Sequence, residues 1–378
     1  MAFSYLSQMN DVSKKGASVV VGMSGGVDSS VAAALLLEQG YSVIGVTMKT
    51  YDFDHVGGNA GNETSCCGLD AFNDARIVAV KLGIPHYVAD FTEPFGRDVI
   101  DNFVGEYARG RTPNPCVICN RTIKWGVLME KAASLGAEYI ATGHYARTGF
   151  DKETGRYFLE RAADQRKDQS YALWGLSQTA LERTLFPLGN LLKTDVRAIA
   201  ARLGLKTAAK EESFEICFIP DNDYRRFIHE RLPDLGVRLA GGSIIREGRK
   251  VGVHDGFVNY TIGQRSGIGA HGQRVYVTDI DAATNTVRIG RPDDLLRSEL
   301  IARDLNFVGI PEIHDGLRVE AAIRYKDRPS PATLYSHPGG GVRVVFDEPK
   351  RAITAGQSVV MYQGERLAAG GVIEPATE

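Results

Sequence analysis

At 378 residues the chain is too long for one comfortable hydrophobic core, so two or three domains are expected. Hydrophobic residues at 43% and charged residues at 24% exclude a disordered or fibrous chain, and no apolar run approaches the roughly 20 residues that cross a bilayer. A net charge of −2 argues against bulk, non-specific binding of nucleic acid and leaves room for a local basic face.

The opening "MAFSYLSQMNDVSKKG" lacks the charged-then-apolar layout of a signal peptide and reads as a loose leader, so a cytoplasmic location is expected. Next come a β-branched strand, "ASVVVGM", and a helix, "SSVAAALLLEQG", closed by Gly40. "YSVIGVTM", "HYVAD" and "EYIAT" read as three further strands, the last two preceded by the helices "LDAFNDARIVAVKLG" and "IKWGVLMEKAASLG". Strands alternating with helices predict a parallel sheet covered on both faces, with its ligand crevice at the carboxyl ends of the strands. Between Thr50 and Cys67 lies a polar, glycine-rich insertion of a length that is usually functional or mobile. Cys66 and Cys67 at its end are either an auxiliary thiol pair or plain loop residues. After Thr148, "GFDKETGRYFLER" predicts a hairpin turning at Glu153–Gly155, and two helices follow, ending with "TDVRAIAARLGL". From about Gly241 the chain becomes short strands and glycine-rich turns, which predicts one or two small barrels. From Tyr224 onward only Lys250, Lys326 and Lys350 are lysines; the other basic residues are arginines, whose forks suit phosphates and base edges.

Two stretches carry chemistry. Ser24-Gly25-Gly26-Val27-Asp28-Ser29-Ser30 falls between the first strand and the first helix. Two glycines let the backbone curl close to an anion, the helix N-terminus faces it, and the serines add donors. Asp28 repels a phosphate, so it either holds Mg²⁺ or caps the helix. No Gly-Lys-Ser/Thr follows, so this is not the loop that grips β- and γ-phosphates. The other stretch is "TPNPCVICNRTIKW", 112–125, whose C-x-x-C spacing fits half a metal site, a redox pair or part of an active site.

The serine–glycine loop resembles the PP-loop of the ATP pyrophosphatase class. The cysteine stretch closely resembles the T-P-N-P-x-x-x-C-N-x-x-I-K-F motif of tRNA-specific 2-thiouridylases. The likeness continues through "ATGHYAR" (141–147), "KDQSYALW" (167–174), "ESFEICFI" (212–219), "YTIGQRSGIG" (260–269) and "AGQSVVMYQGERLAAGGVI" (355–373). It implies an α/β fold: an N-terminal open parallel sheet of the adenine nucleotide alpha-hydrolase-like, PP-loop type, a small central domain and a C-terminal antiparallel β-barrel. The corresponding boundaries are 1–223 for a catalytic PP-loop domain, 224–292 for a central tRNA-binding domain and 293–378 for a tRNA-binding barrel.

The resemblance also implies roles. Gly22, Met23, Ser24, Gly25, Gly26, Val27, Asp28 and Ser29, with Met48 and Gly143, would bind ATP together with Mg²⁺. Asn114, Pro115 and Cys116 would line the pocket of the target base; His144, Lys167, Asp168, Gln169, Arg324, Tyr325 and Gln357 would touch tRNA. Cys119 corresponds to the nucleophile and Cys217 to the persulfide carrier, with a transient Cys119–Cys217 disulfide. The implied reaction is adenylation of O2 of the wobble uridine, then sulfur transfer from a persulfide, giving 2-thiouridine, AMP and pyrophosphate. Partners would be the tRNA anticodon arm and a persulfide-carrying donor protein or cysteine desulfurase, with no membrane. A thiol near its ordinary pKa of about 8.5 is only a few per cent thiolate at neutral pH, so placing Cys119 where the proline-rich loop enters the helix would favour the reactive form. An iron–sulfur cluster or zinc on Cys116, Cys119 and Cys217 is the competing arrangement. The chain departs from the family in two places: Cys116 stands where some relatives carry aspartate, and Glu215 where relatives often carry glycine.

Overall fold

The computed structural model describes residues 16–51, 69–210, 216–234 and 239–376. Cys66, Cys67 and Glu215 lie outside the described residues. Val19, Val20 and Val21 are fully buried and place β1 (Ser18–Gly22) at the centre of a parallel sheet. On one side β1 pairs with β2 (Ser42–Lys49), and β2 with β3 (His86–Asp90). On the other it pairs with β4 (Tyr139–Ala141), and β4 with β7 (Thr184–Leu185), giving the order β3-β2-β1-β4-β7. A strand covered on both faces reads as an unbroken apolar run rather than an alternating one, which is what "VVV" is. The covering helices include α1 (Val27–Glu38), α2 (Leu69–Leu82) and two long continuous helices over 92–108 and 115–134.

The expected hairpin is present as β5 (Arg147–Asp151) and β6 (Arg156–Glu160). Its sheet partner was not foreseen. Glu160 lies opposite Arg366 of the last barrel strand, and Arg366 donates to Asp151 at 2.6 Å and Glu160 at 3.0 Å. The first domain thus lends two strands to the sheet of the last. The two helices expected after the hairpin are Gln178–Glu182 and Lys193–Arg202, with β7 between them; two residues carry no readable period.

In the central region β8 (Gly242–Arg246) pairs antiparallel with β9 (Arg249–His254) and parallel with β11 (Thr286–Gly290), which pairs antiparallel with β10 (Tyr276–Asp281). The C-terminal barrel runs β12 (Leu296–Phe307), β15 (Val342–Arg351), β14 (Ser330–Ser336), β13 (Leu317–Ala322), β16 (Ser358–Gln363), β17 (Arg366–Ile373). Pairing of β17 back onto β12, Ala302 opposite Ile373, closes it and removes the open edges. Leu300, Ala321, Leu334, Val344, Val359 and Met361 fill its interior.

Candidate active site

The glycine–serine loop leaves the carboxyl end of β1 and enters α1, the crevice position expected for a parallel sheet. Gly25 has φ +70°, and a Cβ there would stand 2.3 Å from the Ala71 carbonyl oxygen, so only glycine fits. The N-cap of α1 is Gly26, and no side chain caps it. The helix's first amides therefore remain unsatisfied by the helix itself and face outward, a ready anion site. Ser24 is exposed, and its Oγ lies 3.3 Å from the Oγ of Ser29; Ser29 also accepts from the Ser24 amide at 3.2 Å. Met23, 1% exposed, and Val27, also buried, offer the loop backbone only. Met48, the last residue but one of β2, lies half-buried opposite Ala89 of β3. Gly143, after β4, packs against the loop itself: a Cβ there would lie 2.6 Å from the Ser29 amide nitrogen and 2.7 Å from the Asp28 carbonyl carbon.

Asp28 sits in the first turn of α1 and does not cap it, which corrects one of its two expected roles. Its carboxylate accepts from Lys193 Nζ at 2.7 and 2.8 Å and from the Tyr145 hydroxyl at 2.8 Å. Asp164, 5% exposed, in turn accepts the Lys193 backbone amide at 3.0 Å. Lys210 donates to the Gly25 carbonyl at 3.3 Å and to Asp74 at 2.8 Å. Sequence reasoning missed Lys193, Tyr145 and Lys210. A signal existed for the first: Lys193 opens its helix, where a cation opposes the helix dipole and needs another reason to be there.

The cysteine stretch folds differently from its expectation. The helix begins at Pro115, not near Ile123; Asn114 caps it, accepting from the Val117 amide at 3.4 Å. Cys116, exposed, therefore occupies the first turn, and Cys119, half-buried, lies a turn further in. The proposed help from a helix N-terminus falls on Cys116 more than on Cys119. At Cys119 the helix widens to π-helical spacing, kept through Val127. Such widening recurs at functional sites. Within it Asn120, 2% exposed, donates to the Ala172 carbonyl at 2.8 Å, and Lys124 Nζ donates to Asn120 Oδ1 at 2.8 Å and His144 Nε2 at 3.4 Å. Because an ammonium only donates, His144 Nε2 accepts, and Nδ1 carries the proton toward Thr142 Oγ1 at 2.7 Å. Burial, reinforced by the Lys124 charge, holds this imidazole well below its ordinary pKa, so it is neutral.

Cys217, preceded by Ile216, is half-buried. Its carbonyl accepts from the Tyr51 hydroxyl at 2.5 Å, and Phe218 beside it is locked edge-to-face against Phe95 and Phe103. Cys119 and Cys217 pack on the same hydrophobic core. Among the described residues no three His, Cys, Asp or Glu side chains are grouped so as to hold a metal ion, so the three-thiolate cluster does not fit this arrangement.

Several residues expected at a tRNA surface have their polar atoms committed inward. Asp168 accepts from the Ala162 amide at 2.8 Å and the Ser170 hydroxyl at 2.8 Å, and burial pushes its carboxyl up against those bonds. Gln169 Oε1 accepts from the Tyr145 amide at 3.0 Å. Lys167, half-exposed, lies on the same turn. Gln357 donates to the carbonyls of Thr112 and Pro113 at 3.1 and 2.9 Å, and the Thr112 amide donates to Ala355 at 2.8 Å. The barrel turn therefore grips the cysteine loop. Tyr171 joins the two parts again: its hydroxyl donates to the Ser358 carbonyl at 2.8 Å and bonds Asn114, and its ring lies 6.2 Å from that of Tyr325. Arg324 is exposed, with one donor on the Arg351 carbonyl at 3.2 Å.

Comparison with known proteins adds to this geometry. The family model described as tRNA methyl transferase HUP domain matches residues 17–221, the tRNA methyl transferase PRC-barrel domain 226–291, and the aminomethyltransferase beta-barrel domain 297–373. The chain is 50% identical over 365 residues to "tRNA-specific 2-thiouridylase MnmA" of Salinibacter ruber, covering 96% of this chain and 95% of that protein. It is 51% identical to the protein of the same name from Carboxydothermus hydrogenoformans, covering 94% and 97% of the two chains. Among solved structures, a 4-thiouridine synthetase–RNA complex with bound ATP aligns over 58% of this chain and 52% of its own at 18% identity, with a TM-score of 0.37, too distant to carry weight.

Proposed function

The chain belongs to the tRNA-specific 2-thiouridylase family, and from that premise we infer how its two loops divide one reaction between them. It is an ATP-dependent tRNA-uridine sulfurtransferase. The finer reading is that the glycine–serine loop takes the pyrophosphate of ATP while O2 of the wobble uridine attacks the α-phosphorus. Sulfur from a Cys217 persulfide then replaces the adenylyl oxygen at C2, and AMP leaves. Cys119 releases that sulfur by attacking the Cys217 persulfide, leaving a Cys119–Cys217 disulfide for a reductant. In the alternative order Cys119 attacks the inner Cys217 sulfur first, and the hydrosulfide freed as that disulfide forms is what attacks C2. Asn114, Pro115 and Cys116 would hold the flipped base, which costs less to extrude from a loop than from a duplex. Lys167, Arg324 and Tyr325 would hold the anticodon arm. The domains would divide at 1–223, 224–292 and 293–378, and the sulfur would come from a persulfide-carrying protein or cysteine desulfurase in the cytoplasm. Mg²⁺ would enter with ATP, on phosphate oxygens and the Asp28 carboxylate. That carboxylate already binds a cation, the Lys193 ammonium, so its chemistry suits the role.

One observation carries the reading: half of the residues are shared with named 2-thiouridylases over 96% of the chain. The capping of the thiol-bearing helix by Asn114 and the clamp from the barrel support it by fixing that loop. The test is mass spectrometry of tRNA nucleosides after incubation with ATP, Mg²⁺ and a sulfide source. The expected product is 2-thiouridine at the wobble position, with one pyrophosphate per thiolation; a sulfur-free amidated or ligated product would sink it. With a persulfide donor, Cys217→Ser is expected to lose persulfide and product. Cys119→Ser keeps the persulfide and loses turnover, and Cys116→Ser keeps partial activity. Persulfide mapping to Cys119 would overturn the division of labour.

A further inference from the structure

Partly buried lysines of the catalytic domain mostly meet carboxylates: Lys193 meets Asp28 at 2.7 Å and Lys210 meets Asp74 at 2.8 Å. Lys124 does not. It is half-buried, its two acceptors are the neutral Asn120 amide and the neutral His144 ring, and among the described residues no carboxylate lies within ion-pair distance. An ammonium partly withdrawn from water with only neutral partners is poorly compensated, and it retains a third donor.

Its position says what anion would complete it. His144 follows Gly143, which packs directly on the Asp28–Ser29 backbone of the glycine–serine loop. The ammonium is thus held toward the strand end next to that loop. Its own helix carries Cys119. The π-helical spacing over Cys119–Val127 brings residues five apart to within about 50° of one another around the helix axis, whereas at 3.6 residues per turn they would diverge by about 140°. The widened helix therefore brings Lys124 to the face of the thiol while His144 ties it to the nucleotide side. His144, neutral and fixed by Thr142, orients the ammonium without competing for its charge.

We propose that Lys124 is a catalytic residue that binds the non-bridging oxygens of the α-phosphoryl group as that group passes from ATP to the uridine and leaves as AMP. The proposal rests on the thiolation reading above. In the first step the uridine O2–phosphorus bond forms and the bond to pyrophosphate breaks. The electron pair leaves with pyrophosphate, and the uridine N3 proton goes to water. In the second, sulfur bonds to C2 and AMP departs with the former O2. Lys124 makes and breaks no covalent bond; it offsets the charge that accumulates on the phosphoryl oxygens between the two loops.

The test uses Lys124→Met, which keeps the apolar stem, and Lys124→Arg, which keeps the charge, with thermal melting to confirm that each folds. Single-turnover, tRNA-dependent pyrophosphate release is expected to fall by about 100- to 1,000-fold in Lys124→Met and to recover to within about tenfold of wild type in Lys124→Arg. Affinities for ATP and tRNA should stay within about threefold, and the pH midpoint for alkylation of Cys119 should not move. Wild-type pyrophosphate release in Lys124→Met overturns the proposal. So does a raised Cys119 midpoint with unchanged release, which would give the ammonium to the thiolate instead. If the wild-type enzyme itself releases no pyrophosphate with tRNA, the thiolation reading fails, and that result is distinct from any difference among the variants.

Discussion

Asp28 and Lys193 form a unit at the loop, the ammonium bidentate on the carboxylate and the Tyr145 hydroxyl a third arm. A group that binds phosphates has to exchange partners when they arrive. On the proposed reading, Lys193 would turn from the carboxylate to a phosphate oxygen, leaving the Asp28 carboxylate to hold Mg²⁺. Asp28→Ala is expected to lower tRNA-dependent pyrophosphate release by about 100-fold or more, and Lys193→Met by a similar factor. Because they act together, the double variant should be little worse than either single one, which a double-mutant cycle on single-turnover rates would measure. Wild-type release in Asp28→Ala would remove the nucleotide loop from the reaction. The carboxylate was legible from its loop; the lysine left a mark only at its own helix start, and its pairing with Asp28 was not legible, since it lies 165 residues further along the chain.

At the scale of elements, the helix over 115–134 is held from outside as well as by its own cap. The barrel turn 354–358 supplies Gln357 to two loop carbonyls, and Gly356, at φ +87°, lets the turn approach so closely that a Cβ would stand 2.9 Å from the Thr112 carbonyl oxygen. Gln357→Ala removes two part-buried hydrogen bonds and should destabilise the protein by about 1–2 kcal/mol, read from the urea midpoint. Amide exchange should quicken across 112–119 and stay unchanged in β1. A purely surface role for Gln357 would leave that exchange pattern untouched and alter only tRNA affinity. Gln357 was read from the sequence as a tRNA contact. In the folded chain its amide is a link between barrel and thiol loop, and any tRNA contact must be made around that bond.

Over the whole molecule, a chain with net charge −2 binds a polyanion through a local surface, and the exposed Arg324 of the barrel is the proposed contact there. Affinity for tRNA is expected to fall with salt, each neutralised phosphate of single-stranded RNA contributing about −0.7 to the log–log slope. Arg324→Ala should weaken binding and flatten that slope by about this amount, and salt-independent affinity would count against a barrel-docked tRNA. Sequence by itself determined the parallel sheet, the glycine–serine loop and the existence of a helix after the proline-rich stretch, though not that the helix starts at Pro115 and takes in Cys119. Each is local: a buried strand needs only its apolar run, and Gly25 only its own backbone freedom. Tertiary structure alone decided that Lys193 meets Asp28, that the hairpin joins the barrel sheet, and that Gln357, 245 residues from Thr112, clamps the cysteine loop. It also decided that the helix widens at Cys119, because hydrogen-bond register within a helix leaves no mark in the apolar period. The hairpin and Gln357 contacts come from packing one domain on another and the Lys193–Asp28 contact from packing two elements of the first domain, and no window of neighbouring residues contains both halves of any of these contacts.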